Sequence, residues 1–283
     1  MASFRIVHQT RYRYTDRVSL DPHFFRLVPR PDRCSVVSRS LQIGPELAGT
    51  SQVLDIDGNR VVVAWFRGMT DFLEVKSEAV VQVEPFNPFD FMVYPASCKR
   101  LPMAYPPAHA AVLAPYVAAE DVPEVGVFAS ATAACCNGDT VAFVMGLCRT
   151  VFEKFGYEKR DLGSAQSPAR TLQEKKGCCR DFAVLVMAAC RRMGIASRYV
   201  SGYYLNEEAS GPADLHAWVE VFLPGAGWKG FDPTQGGACD HRYLALSASI
   251  DPLLTMPVTG TFRGGASCRM SVTLTIDRLP TVS

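Results

Sequence analysis

The sequence has no long hydrophobic run, no dominant charge and no glycine-rich phosphate loop. Its longest apolar stretch, residues 182–190, is far shorter than the roughly 20 residues that a membrane-spanning helix requires. Residues 1–14 contain no apolar core of signal-peptide length, so neither a membrane segment nor a secretion signal is expected. The formal net charge of +1 provides no overall field that would attract anionic lipid.

Arginines are frequent in the first 39 residues, where they alternate with aromatic residues in a pattern that could suit nucleic acid. Acidic residues such as Asp16 and Asp21 are interleaved with them. This mixture of charges favours solvated strand faces over a nucleic-acid surface. We therefore expect no nucleic-acid partner.

Metal-ligand spacing is also missing, although the chain has ten cysteines. Cys135-Cys136 and Cys178-Cys179 are adjacent pairs rather than CxxC pairs, and no second histidine lies at ligand spacing nearby. No metal site is expected, and we find no motif that would bind a cofactor. Many cysteines without a secretion signal are typical of a reducing compartment, so a cytoplasmic location is expected.

What the chain does contain is the composition of a folded protein, with 48% hydrophobic and 20% charged residues among 283. Runs of β-forming residues, a cluster of prolines and helical periodicities divide it into parts. The sequence predicts an amino-terminal β-rich domain (1–95), a linker with short helices (96–140), a core (141–250) and a carboxy-terminal strand region (251–283). The last region could return to the amino-terminal sheet.

Apolar residues from Phe182 onward recur at three- and four-residue steps, which predicts a helix with one buried face. Gly194 marks its end, and Arg191 and Arg192 suit the negative end of the helix dipole. Cys179 then falls at or beside the helix N-terminus, where unpaired backbone N–H groups favour an anion. A thiolate there is stabilised as a nucleophile, and the same N–H groups could receive the oxyanion of a tetrahedral intermediate.

Two adjacent cysteines compete for the role of nucleophile. Cys179 lies three residues before Phe182 and adjoins Arg180, so it is better placed than Cys178 to start the helix. Physical reasoning from these residues does not exclude Cys178. It also leaves open that both are small buried hydrophobic residues, the usual fate of free cysteine.

A pair of strands after this helix carries a histidine and an aspartate. Residues 216–223 alternate as a strand does, and a turn then leads into a returning strand that ends at Asp232. With the turn expected after Leu223, Asp232 would lie opposite Val219, three positions from His216. A bulge or the twist of the sheet would then have to bring the carboxylate to the imidazole.

Each of these residues alone is weak evidence, because a lone histidine is often structural and Asp232, which precedes a proline, could form a turn. Together they occur in the order Cys179, His216, Asp232, with the thiol at a helix start. These are the residue types of a nucleophile, a general base that later acts as an acid, and an orienting carboxylate. The sequence therefore predicts covalent acyl transfer through a thioester.

Five segments carry a more specific pattern, namely residues 177–183 (GCCRDFA), 198–203 (RYVSGY), 216–221 (HAWVEV), 227–228 (GW) and 231–234 (FDPT). Together they resemble the core of the bacterial transglutaminase-like superfamily. Its patterns G-x-C-R-D-F-A, H-A-W-x-E and D-P-T assign the nucleophile to Cys179 and the other two places of a triad to His216 and Asp232. Residues 8–14 (HQTRYRY), 26–30 (RLVPR) and 57–59 (DGN) resemble the β-rich amino-terminal region of many bacterial members.

The resemblance implies an α+β fold with a papain-like core, in which the cysteine-bearing helix packs on an antiparallel sheet, and an amino-terminal β-sandwich-like domain. It implies a Cys-His-Asp triad that acts on the amides of a peptide or protein substrate. Hydrolysis by a protease or amidase is the expected outcome, and transamidation to a protein or small amine is an alternative. A non-catalytic peptide-binding module with an inert triad is an alternative of another class, and the joint presence of the three residues argues against it.

Overall fold

The computed structural model describes residues 1–31, 34–160, 163–206, 208 and 210–280. The remaining positions, among them the last three of the predicted carboxy-terminal region, lie outside the described residues. Within the described part of the chain, no helix has the length and apolar character needed to cross a membrane.

The chain forms strands first, then helices, then strands again. The first strands are β1 (Ala2–Leu20), β2 (His23–Phe25), β3 (Ser35–Gly44), β4 (Leu47–Leu54), β5 (Arg60–Phe66) and β6 (Thr70–Val83). The middle contains a 3₁₀ helix (Ala96–Lys99), α1 (Pro107–Val117), α2 (Pro123–Cys135), α3 (Thr140–Lys154), β7 (Gly156–Tyr157), α4 (Pro168–Glu174), β8 (Lys176–Gly177) and α5 (Cys179–Arg192). The last part contains β9 (Ser197–Tyr204), β10 (Gly211–Pro212), β11 (Leu215–Leu223), β12 (Gly227–Asp232), β13 (Gly237–Ala238), β14 (Tyr243–Ser249), a 3₁₀ helix (Pro252–Thr255), β15 (Val258–Thr259), β16 (Phe262–Arg263) and β17 (Cys268–Leu279).

Both ends of the chain contribute to the amino-terminal sheets. A six-stranded sheet has the order β10-β17-β1-β6-β3, with β16 also pairing with β1, and a four-stranded sheet has the order β15-β2-β5-β4. Strand β17 runs antiparallel to β1 from the pair Tyr14–Cys268 to the pair Ser3–Leu279. Side chains from both sheets, such as Phe4 and Phe25, share one hydrophobic core. The two sheets therefore enclose a sandwich-like core that the terminal strand helps to build.

The third large sheet supports α5. Its order is β13-β12-β11-β9-β14, and all its pairings are antiparallel. Leu185 and Val186 of α5 share a core with Tyr199, Val219 and Phe231 of the sheet. Each such side chain stabilises the fold by about 1.5–3 kcal/mol when fully buried. The predicted mixed α+β fold, with the cysteine-bearing helix on an antiparallel sheet, is confirmed.

The helix α5 begins and ends where its sequence requires. Its buried residues Phe182, Leu185, Val186 and Ala189 follow helical spacing. After its C-terminus, Gly194 adopts a positive φ of 77°, and a Cβ there would lie 2.3 Å from the carbonyl oxygen of Met103. Only glycine fits this stop without displacing the backbone.

Candidate active site

The start of α5 is a tightly capped turn. Cys179 is its first residue, and Cys178 is the N-cap with an extended backbone (φ −101°, ψ 179°). The Asp181 carboxylate accepts a hydrogen bond from the Cys178 N–H at 2.8 Å. Gly177 precedes the pair because a Cβ at that position would lie 2.8 Å from Oδ2 of Asp181. This capped turn explains why Gly177, Cys178 and Asp181 stand at these positions. It also sets the position of the Cys179 thiol at the start of the helix.

Asp181 is fully buried and also holds the segment before α4. Its Oδ1 accepts hydrogen bonds from the Gln166 N–H and from Nη2 of Arg160, both at 2.7 Å. Burial alone would raise the pKa of Asp181, but the N–H groups of Gln166 and Cys178 and the Arg160 guanidinium outweigh it and lower the pKa. The sequence placed Asp181 only in the first turn, since its other partners lie 15 and 21 residues away.

The hairpin of β11 and β12 brings His216 to Asp232. Val219 pairs with Phe231, so Asp232 lies level with Trp218, two positions from His216 and on the same face. The register predicted from the sequence is wrong by one residue, because the turn contains three residues rather than four. No bulge is needed, and Nε2 of His216 lies 2.7 Å from Oδ2 of Asp232.

The Asp232 carboxylate is fully buried and has two further donors. The Tyr243 hydroxyl donates to Oδ2 at 2.9 Å, and the Thr234 N–H donates to Oδ1 at 2.7 Å. Burial and the charge of Asp232 raise the pKa of Tyr243, so its hydroxyl stays protonated and remains a donor. Sequence reasoning missed Tyr243, because it joins the site from β14, on the far side of β9 in the sheet.

One cleft of about 780 Å³ contains both Cys179 and His216. The Ala217 N–H hydrogen-bonds to the Cys179 sulfur, so β11 directly contacts the start of α5. Since Asp232 engages Nε2 of His216, Nδ1 is the ring nitrogen that can exchange a proton with a group in the cleft. The structure therefore brings His216 and Asp232 into direct contact, and it opens His216 and Cys179 onto the same space.

The two adjacent thiols hydrogen-bond to each other. That bond lowers the pKa of Cys178 to about 6, with burial opposing it and Arg180 reinforcing it. The same bond, together with burial, raises the pKa of Cys179, while Arg180 and the Ala217 N–H act to lower it. The pair therefore carries one thiolate at a pH below about 8.5, the ordinary pKa of cysteine. Cys179 is the member of the pair that lines the cleft.

A tyrosine also contacts this pair. Tyr157 pairs with Gly177 in the short parallel ladder of β7 and β8, and its hydroxyl hydrogen-bonds to the Cys179 side chain. Burial raises the pKa of Tyr157 to about 12, and the negative charge on the cysteine pair adds to this effect. The hydroxyl therefore remains a potential donor to a thiolate at Cys179. No sequence signal pointed to Tyr157.

The ten cysteines are all free thiols, including the adjacent pair Cys135-Cys136. Among the described residues, no group of three His, Cys, Asp or Glu side chains is arranged to hold a metal ion.

Two family models match the chain. The model of the transglutaminase-like superfamily core matches residues 128–233, which include all three residues predicted for the triad. The model of the bacterial transglutaminase-like N-terminal region matches residues 4–82. The chain belongs to the transglutaminase-like superfamily.

This superfamily member is similar to curated bacterial proteins. An uncharacterised protein of Mycobacterium leprae is 25% identical, in a match that covers 99% of this chain and 100% of that protein. An uncharacterised protein of Mycobacterium tuberculosis is 26% identical, with 91% of this chain and 86% of that protein covered. A protein-glutamine gamma-glutamyltransferase of Pseudomonas aeruginosa is 34% identical over a shorter match that covers 28% of this chain and 15% of that protein.

A solved structure shares the whole architecture of this transglutaminase-like chain. A candidate cysteine protease from Cytophaga hutchinsonii superposes with a TM-score of 0.71 at 18% identity, and the match covers 100% of this chain and 92% of that one. At this identity the likeness concerns the fold. The solved structure and this chain therefore arrange a β-rich amino-terminal region and a core in the same way.

Proposed function

We propose that this protein transfers acyl groups from peptide or side-chain amides through a thioester on Cys179, and that water then hydrolyses the thioester. The observation that carries the proposal is the cleft in which a thiol at a helix start faces the same space as His216, itself hydrogen-bonded to Asp232. Membership of the superfamily supports the same general chemistry.

In the first half-reaction, the Cys179 thiolate attacks the carbonyl carbon of the amide, and a carbon–sulfur bond forms as the carbonyl electron pair moves onto oxygen. The first N–H groups of α5 have no intrahelical acceptor and can receive this oxyanion. The carbon–nitrogen bond then breaks, and His216, which has accepted the proton of the Cys179 thiol, gives that proton to the departing nitrogen, which leaves as ammonia or an amine.

In the second half-reaction, His216 removes a proton from water as the water oxygen attacks the thioester carbon. The carbon–sulfur bond breaks, the sulfur leaves as the thiolate, and the acyl group leaves as a carboxylic acid. Asp232 keeps the imidazole oriented and stabilises its protonated form. The His216 side chain is 13% exposed, so water from the cleft can reach it.

Transamidation is the second candidate, in which an amine replaces water in the second half-reaction. The partial match to a protein-glutamine gamma-glutamyltransferase favours this alternative. Incubation with an amide donor, with and without a primary amine, separates the two by mass spectrometry. We expect mainly carboxylic acid product at modest amine concentration, whereas predominance of the amide adduct would establish a transamidase.

Selective alkylation tests the nucleophile itself. Limiting iodoacetamide near neutral pH should label Cys179 faster than the other cysteines, and His216→Ala should slow that labelling. His109→Ala changes a histidine outside the cleft and serves as the matched control. Equal labelling of all accessible cysteines, unaffected by His216→Ala, would indicate a binding module with an inert site.

We also propose a cytoplasmic location and a peptide or protein substrate. The ten free cysteines support a reducing compartment. Cell fractionation with an antibody to the intact chain tests the location, and recovery of the protein in a periplasmic or secreted fraction would contradict it.

A further inference from the structure

The terminal strand β17 keeps its apolar alternation beyond the core that it helps to build. Leu274 and Ile276 are buried in the amino-terminal core. Met270 and Val272 lie on the same face, because side chains two residues apart in a strand point the same way. Yet these two are 38% and 47% exposed. An apolar face therefore continues where no protein core covers it.

This uncovered face forms a wall of the cleft that contains Cys179. Met270 and Val272 pair with Tyr12 and Thr10 of β1, and all four residues line the cleft. The terminal strand thus reaches the candidate site, although it lies some 90 residues after Cys179 in the chain. The wall and the thiol line one cavity, so a molecule that fills the cleft beside Cys179 can also contact this wall.

The 3₁₀ helix after β14 adds apolar side chains to the same cleft. Leu253 and Met256 line it and are 57% and 45% exposed. Large apolar side chains that cluster at the surface and border a cavity are typical of binding sites.

Arg191 lines this part of the cleft, and its guanidinium hydrogen-bonds to the backbone. Nη2 of Arg191 donates to the carbonyl oxygens of Ser197 and Ile250 at 3.0 and 3.3 Å. Arg191 therefore stabilises neighbouring backbone through Nη2. The side chains of the wall itself, from Met270, Val272, Leu253 and Met256, are apolar and suit an uncharged apolar group.

We infer that the acyl donor carries a bulky apolar side chain, of the leucine, methionine or phenylalanine type, beside the attacked carbonyl, and that the wall formed by Met270, Val272, Leu253 and Met256 binds it. This inference rests on the proposed function of Cys179. It names the substrate class as apolar peptide segments rather than polar or acidic ones, and it gives the terminal strand a role in specificity.

Three irreversible probes test this inference on the full chain. Leucyl, seryl and glutamyl acyloxymethyl ketones share one leaving group and one reactive carbon, and the rate of alkylation of Cys179 is followed by peptide mass mapping. The leucyl probe should react roughly 10-fold faster or more than the other two, as expected for an apolar pocket. Equal rates for all three probes would overturn the inference.

Two variants test whether the preference for the leucyl probe depends on β17. The double variant Met270→Gln/Val272→Thr nearly conserves side-chain size and should lower the leucyl-to-seryl rate ratio at least threefold, with each rate normalised to iodoacetamide alkylation of the same variant. Ser271→Gln, an exposed change on the opposite face of the strand, should keep the wild-type ratio. A wild-type leucyl-to-seryl rate ratio in the double variant would show that the wall does not bind the apolar side chain.

The iodoacetamide reaction separates this inference from the proposed function. Selective alkylation of Cys179 that depends on His216, without any preference for the leucyl probe, would overturn the apolar wall and leave the nucleophile intact. Unselective alkylation would instead overturn the proposed function.

Discussion

The two buried carboxylates beside the cleft resemble each other in burial and differ in their partners. Asp181 and Asp232 are both fully buried, and each accepts three hydrogen bonds. The donors to Asp181 are two backbone N–H groups and an arginine, whereas those to Asp232 include an imidazole and a tyrosine hydroxyl.

Because of this difference, we expect Asp181 to hold the backbone in place and Asp232 to orient a reactive group. Arginine and backbone N–H groups do not titrate near neutral pH, so Asp181 acts as a permanent anchor for the start of α5 and the segment before α4. The imidazole beside Asp232 is the group proposed to transfer protons, so this carboxylate is placed to orient it. Loss of Asp181 should therefore mainly reduce stability, and loss of Asp232 should mainly reduce turnover.

Replacement of the proposed nucleophile should have the largest effect. Cys179→Ala should abolish turnover and leave the cooperative unfolding transition almost unchanged, because alanine suits the first turn of a helix. Cys178→Ala, the matched control, should retain turnover within about threefold at pH 8.5, where an ordinary thiol is half ionised. Loss of turnover in Cys178→Ala alone would reverse the assignment of the two cysteines.

Removal of the charge beside the imidazole should have the next largest effect. In Asp232→Asn, an amide that donates to Nε2 would leave the proton on Nδ1, so that His216 could not accept one from water. Turnover should fall roughly 10³-fold. Asp240→Asn, which changes an acid that pairs with Arg242, is the control and should stay near wild type. A loss of less than about fivefold in Asp232→Asn would show that Asp232 does not orient a catalytic base.

The matching change at the other carboxylate should lower stability. Asp181→Asn removes the carboxylate that pairs with Arg160 and weakens the cap, which should cost about 2 kcal/mol in the free energy of unfolding at pH 7. Because the pKa of Asp181 is lowered in the folded state, its contribution is present above the unfolded pKa of about 3.9 and is lost as the pH falls through the folded value. The difference from wild type should therefore shrink below about pH 4.

Urea unfolding at several pH values measures this difference. Asp139→Asn at the N-cap of α3 is a suitable control, since asparagine and aspartate cap helices about equally well. Equal stability of Asp181→Asn and wild type at pH 7 would contradict the anchoring role.

The pH dependence of alkylation should reveal the paired thiols. In the wild type, the rate should rise through about pH 6, where the pair of Cys178 and Cys179 loses its first proton and carries one negative charge. Without the S–H donor in Cys178→Ala, the midpoint should move upward, toward about 8.5. Iodoacetamide rates from pH 5 to 9 measure both midpoints, and coincident profiles would show that the two thiols do not share the charge.

The smallest effect should come from the tyrosine that supports Asp232. Tyr243→Phe removes one hydrogen bond to a carboxylate but keeps the ring, so turnover should fall roughly threefold to tenfold. Tyr204→Phe keeps the ring against His216 and loses no bond to Asp232, and it should remain within about twofold of wild type. Equal effects of the two variants would show that the hydrogen bond from Tyr243 to Asp232 makes no specific contribution to turnover.

Local patterns in the sequence were enough to predict the helix start and the hairpin, and the family resemblance implied the antiparallel sheet. Cys179 begins α5 because apolar spacing and an N-cap determine a helix terminus locally. The register of Asp232 was missed by one residue, since it depends on the number of residues in the turn. The partners of Asp181 and the place of Tyr243 and Met270 could not be predicted, because they depend on contacts between segments that are distant in the chain.

Trapping the acyl-enzyme tests the central claim most directly. Wild-type protein would be incubated with an apolar peptide amide, quenched in acid and digested, and the mass of the peptide that contains Cys178 and Cys179 would be measured with fragmentation to assign the modified sulfur. We predict an acyl group on Cys179 that disappears on treatment with hydroxylamine and never forms in Cys179→Ala. An acyl group on Cys178, or turnover of the amide by Cys179→Ala, would contradict the account.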